Sequence, residues 1–174
     1  MDARLDPEDE RARAAVHEAG HFLVATRWPC AALELRAITI AVDALHSGRV
    51  VCRNRHRFDR VEALALCRIL VAGYEAEKLL TGRIEPAVAR TDLAQARDLF
   101  AQLGDGDTSR VITSSRSCHL AVRALLRRDW SALTRLAAEL LRATTLSTEA
   151  ARAIVAAVDG AASPRRAAWP GLMS

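Results

Sequence analysis

Polar and apolar residues alternate with a helical period at the start of the chain. Ala12, Ala15, Val16, Ala19 and Leu23 recur every three or four positions. Asp6 reads as the N-cap, Pro7 as the first helical residue, and Pro29 as the stop. Between Leu33 and Val42 the period changes: Ile38, Ile40 and Val42 alternate with Thr39 and Ala41, which predicts a strand. Residues 43–48 form a turn, and 49–53 offer a second strand. A long helix then runs from a capping Asp59 to Gly82. It is apolar nearly all round through Leu64–Ala72, so its place is at the centre of the domain. After a loop containing Pro86, a helix over 91–103 stops at Gly104, and 104–110 reads as a mobile loop. Helices near 115–128, 130–144 and 148–158 follow. The pattern predicts a mainly α domain over 1–160 with a small two- or three-stranded β element, and a disordered tail over 161–174.

Composition sharpens this. Aromatic residues are only 4% of the 174, so the core must be built from Ala, Leu, Val and Ile, which suits closely packed helices. The net charge is +4, but the basic residues are spread along the chain and not interleaved with aromatics. Nothing in this pattern supports nucleic-acid binding. Cys30, Cys52, Cys67 and Cys118 form no CxxC pair, the N-terminus is too acidic for a secretory signal, and no apolar run approaches the ~20 residues of a membrane span. The expectation is a soluble, cytoplasmic protein.

Candidate chemistry lies in the first helix. His17-Glu18-Ala19-Gly20-His21 is an HExxH sequence, and residues four apart project from one helix face, so two imidazoles can meet one ion. The adjacent Glu18 can reach a water at that ion and act as general base. With five His in the chain, chance produces roughly 0.01 such matches. Gly20 costs roughly 1 kcal/mol relative to Ala in a helix interior, and here it leaves room for a close metal. Two histidines need a third protein ligand. His46, His56 and His119 lie in or near predicted loops. Glu75 and Glu77 on the long helix and Asp92 at the start of the next are the carboxylate candidates, and local pattern leaves the choice among them open.

"AVHEAGHFLVA", "GYEAEKLLTG" and "TDLAQAR", in that order, resemble the peptidase domain of the FtsH-type ATP-dependent zinc metalloproteases. Residues 72–78 stand where that family has Gly-Gly-Arg-Ala-Ala-Glu-Glu, and Thr91-Asp92-Leu93 where it has its Asn-Asp-Leu or Ser-Asp-Leu segment. The resemblance extends patchily over about residues 10–158. It implies a helical zincin-like fold, Zn2+ held by His17, His21 and Asp92, and Glu18 acting on the water. It also makes Glu77 a partner that orients a histidine. Tyr74, Glu75 and Lys78 depart from the family's Arg, Ala and Glu.

These 174 residues contain no Walker motif and no anchor. The expectation is therefore a stand-alone zinc metalloendopeptidase that cleaves unfolded or flexible polypeptides, alone or with a separate ATPase or adaptor. The family's rings make a homo-oligomer one arrangement, and the substrate would lie along an edge strand at 36–42 or 49–53. The alternative is a non-proteolytic binding or regulatory module that retains the metal site.

Overall fold

Asp9, not Asp6, starts the first helix. Its carboxylate accepts from the Arg11 amide at 2.9 Å, while Asp6 builds a preceding turn by accepting from the Glu8 amide at 2.9 Å. Pro7 therefore sits in the turn ahead of the helix rather than inside it. The computed structural model describes residues 5–30, 33–40, 42–43, 46–47, 58–83 and 90–162. Among these residues six helices and four short strands follow in order: α1 (Glu10–Arg27), β1 (Ala37–Thr39), β2 (Val42–Asp43), β3 (His46–Ser47), α2 (Arg60–Thr81), α3 (Arg90–Gly104), α4 (Thr108–Arg128), α5 (Trp130–Ala143), β4 (Thr145–Ser147) and α6 (Thr148–Ala162). The protein is mainly helical with a small β element, as its periodicity predicts.

The long helix α2 begins and ends where the sequence places it. Asp59 accepts from the Val61 and Glu62 amides, each at 2.8 Å, and Glu62 returns to the Asp59 amide at 3.3 Å, a reciprocal capping box. Gly82 closes the helix with φ at 68°. α2 packs against α1, α3 and α4, and it shares the centre with α1, which packs against α2, α4 and α5. From Ala15 to Ala25 every residue of α1 is buried.

Two sequence expectations change. Residues 104–110 are no mobile loop: Asp105 (φ 49°) and Gly106 (φ 80°) make a tight turn, and Asp107 caps α4 through the Ser109 and Arg110 amides. α4 thus starts at Thr108, seven residues ahead of the predicted 115. The single strand predicted through Ile38, Ile40 and Val42 is also divided, and β1 has a partner that the sequence does not announce. It pairs antiparallel with β4, with Ile38 opposite Leu146, while β2 and β3 form a separate short pairing with Val42 opposite Ser47. The predicted strand at 49–53 lies outside the described residues, as does 163–174 of the predicted tail; 161 and 162 are the end of α6.

The core is aliphatic, formed by Leu23, Val24, Ile38, Leu126, Leu133, Leu136 and Leu140 with many alanines. Cys30, Cys67 and Cys118 are buried free thiols. Among the described residues no helix is long and apolar enough to cross a membrane. Charged groups also tie helices together. Arg27, at the end of α1, bridges Asp129 at the start of α5 (2.7 Å) and Asp159 of α6 (2.6 Å). Glu75 of α2, 1% exposed, accepts from Arg123 of α4 at 2.7 and 3.1 Å and pairs with His119 at 2.8 Å.

Burial pushes the Glu75 carboxyl up, but His119 and Arg123 outweigh it and hold the group below its ordinary range. A depressed folded pKa stabilises above the unfolded value of about 4.3, and the contribution fades as pH falls through the folded value. Removing Arg123 strands a buried charge, at a cost reduced because His119 remains and Arg123 is one-quarter exposed. Arg123→Met is expected to lower stability by roughly 2–3 kcal/mol at neutral pH. Denaturant titrations should show that gap narrowing below about pH 4.

Candidate metal centre

The site is built on a close approach of two helices. A Cβ at Gly20 would lie 2.8 Å from the Ala76 Cβ and 2.9 Å from the Ala72 carbonyl oxygen. Gly20 therefore makes room for α2, not for the metal as its position in HExxH suggests. The residue that makes room at the centre is Gly73. A Cβ there would stand 2.5 Å from the His17 ring, so this imidazole rests directly on the backbone of α2.

His17 and His21, 5% and 6% exposed, bring their Nε2 atoms to 2.9 Å from each other. Asp92, at the start of α3, places Oδ2 3.2 Å from both. The opposite ring nitrogens are fixed by α2: His17 Nδ1 lies 2.5 Å from Glu77 Oε1, and His21 Nδ1 lies 2.7 Å from the Ile69 carbonyl oxygen. A backbone carbonyl can only accept, as can an ionised carboxylate, so both Nδ1 atoms carry the proton in neutral rings. Both Nε2 atoms then present lone pairs to each other and to Asp92. With both rings neutral, three acceptors face one point with no hydrogen among them, an arrangement that calls for a cation, either a proton or a metal ion. Donors around a tetrahedral ion with bonds of about 2.0–2.1 Å stand about 3.3 Å apart, close to the observed spacing. His17, His21 and Asp92 are accordingly a group that could hold a metal ion.

The electrostatics agree. Burial lowers the His17 pKa, but hydrogen bonds to Asp92 and Glu77 and the charges of Glu18 and Glu77 reverse this and raise it to about 10. Burial pushes Asp92 up, yet both histidines hold it well below the usual carboxylate range. The pocket thus attracts positive charge, which a metal would supply in place of the proton. Glu18 differs from the other carboxylates. It is 6% exposed and has no hydrogen-bond or ion-pair partner among the described residues. Burial raises its pKa, with His21 and His17 partly opposing.

Of the three carboxylates left open by local pattern, Asp92 meets the histidines, Glu77 orients His17, and Glu75 faces α4, committed to Arg123 and His119. His119 is therefore held away from the ligand set by its own carboxylate. The side chain of His46 and all of His56 lie outside the described residues. Sequence reasoning missed two contributors. Gly73 was readable only as part of a motif, and the Ile69 carbonyl, a backbone group, has no residue-type signal.

Comparison with protein-family models and with curated proteins finds no match to this chain. The fold and site by themselves define a helical domain carrying a His/His/Asp group suited to a metal ion.

Replacing Gly73 by Ala drives a methyl group into the His17 ring, and metal content by elemental analysis is expected to collapse while helical circular dichroism is retained. Glu77→Gln keeps an acceptor but removes the charge behind the ligand. Competition with a chromogenic chelator should show metal affinity lower by about 10–100-fold.

Proposed function

We propose that the protein is a zinc-dependent metalloendopeptidase acting on unfolded or flexible polypeptides. The observation that carries this reading is Glu18, a nearly buried carboxylate without a partner among the described residues, beside three converging candidate metal donors. A group held only for structure would be paired at such a depth, as Glu75 and Glu77 are. Two neutral imidazoles and a carboxylate suit zinc, which when bound acidifies water and polarises a carbonyl.

The chain's own residues have distinct tasks. Glu77 and the Ile69 carbonyl fix the tautomers and ring orientations of His17 and His21. Gly73 keeps the His17 ring in place. Glu18, made more basic by burial, takes a proton from water and returns it to the departing amine. The resemblance to FtsH-type peptidases supports the same assignment of His17, His21, Asp92 and Glu18. It also supports an extended substrate lying along an edge strand, for which β1, paired among the described residues with β4 alone, is a candidate.

Cleavage of a disordered polypeptide should fall by at least about 10²-fold in Glu18→Gln, the scale of general-base catalysis. Zinc content and circular dichroism should stay unchanged. Equal activity in both proteins would refute the reading. A zinc-replete, inactive wild type would move weight to a binding or regulatory module.

A further inference from the structure

A cavity adjoins the metal centre on the Nδ1 side of His17. It is lined by Arg13 of α1, by Tyr74, Glu77, Lys78 and Thr81 of α2, and by Arg83 just beyond that helix. Its enclosed part, about 10 Å³, admits one water-sized group, and with its mouth the space is about 260 Å³. Glu77 belongs to both places: its Oε1 contacts His17 Nδ1, so one imidazole ring separates the cavity from the metal-facing nitrogens.

Among the described residues three cations and one carboxylate line this space, and that carboxylate is already committed to His17. The carboxylate that Arg83 approaches, Glu8, is solvent-exposed, and the two side chains lie 3.3 Å apart. Exposed pairs of this kind contribute little and are easily exchanged. Lys78, the sole lysine in the sequence, stands 5.8 Å from the centre of the Tyr74 ring. Arg83 is set by a built turn, in which Gly82 adopts φ 68° and the Arg83 amide donates to the Thr81 hydroxyl at 3.1 Å. Tyr74 and Lys78 are also two of the positions at which the chain departs from the FtsH-type pattern, and at 78 a cation stands where that pattern has a carboxylate. An oxygen entering the cavity would meet charge-assisted donors in a partly enclosed space.

We infer that this cavity is a subsite for a carboxylate carried by a bound polypeptide, which makes acidic, flexible chains the substrate class. The word substrate rests on the peptidase reading, whereas the binding does not. The carboxylate can come from an acidic side chain or from a chain terminus, and both present the same chemistry to Lys78 and Arg83.

The test is fluorescence anisotropy on the zinc-loaded full chain carrying Glu18→Gln, which binds without turnover. Three disordered peptides of equal length serve as probes: one with internal acidic residues and an amidated end, one neutral with a free terminal carboxylate, and one neutral and amidated. Salt at about 0.3 M suppresses long-range attraction to a basic protein. At least one acidic probe is expected to bind about tenfold or more tightly than the neutral amidated one. Which of the two does so identifies the source of the carboxylate. Adding Lys78→Met and Arg83→Met should abolish the difference with the fold intact, and inorganic phosphate should compete. Equal binding of all three probes would overturn the inference, as would a preference that survives the double substitution or an absence of phosphate competition. Anisotropy needs no hydrolysis, so a proteolytically silent wild type would undo the peptidase reading alone.

Discussion

The centre depends on α1 and α2 touching through backbone and methyl groups. Gly20 against Ala72 and Ala76, and Gly73 against the His17 ring, leave no room for a further carbon. This contact lets α2 do two things at once. It seals the His17–His21 face from water, and it supplies the Ile69 carbonyl and the Glu77 carboxylate that hold the two rings. A helix pair spaced by leucines would bury as much apolar surface, but it would carry those acceptors out of reach of the imidazoles. Two glycines in helix interiors each sacrifice roughly 1 kcal/mol of propensity for this geometry.

Buried charge is divided by helix face. Glu75 and Glu77 are two residues apart and so point to opposite sides of α2. Glu75 ties the helix to α4 through Arg123 and His119, a structural use. Glu77 orients His17 at the candidate metal centre, and Glu18 on the facing helix has no partner among the described residues. One segment thereby serves folding and chemistry with the same residue type, distinguished by direction alone.

The helices were largely legible in the sequence because their signals are local. The Asp59–Glu62 capping box and Gly82 bound α2 without reference to anything distant. HExxH spacing likewise brings His17 and His21 together with no tertiary information. What could not be read was long-range or ambiguous. β4 is three residues long and pairs with a strand more than a hundred positions earlier, so no periodicity announces it. Asp6 and Asp9 are equally good caps locally, and packing decides between them. The helical start at Asp107 was hidden because Gly104 and Gly106 resemble loop composition, although two residues with positive φ suffice to turn the chain. Among Glu75, Glu77 and Asp92, only the direction of each side chain in the fold tells ligand, orienter and ion-pair partner apart.

The three metal donors do not face solvent equally. Both histidines are sealed between helices, whereas the Asp92 side chain is 27% exposed and is the sole donor from α3. The imidazole pair is preassembled by contacts that need no metal, so Asp92 on α3 would be the donor that completes the set around an ion. Asp92 already lies 3.2 Å from both imidazoles, so an ion held there would join α3 to α1 through residues 71 positions apart. α3 is also moored by Ala96, Leu99 and Phe100 in the apolar core, so the donor most open to solvent stands on an element whose place is set by packing.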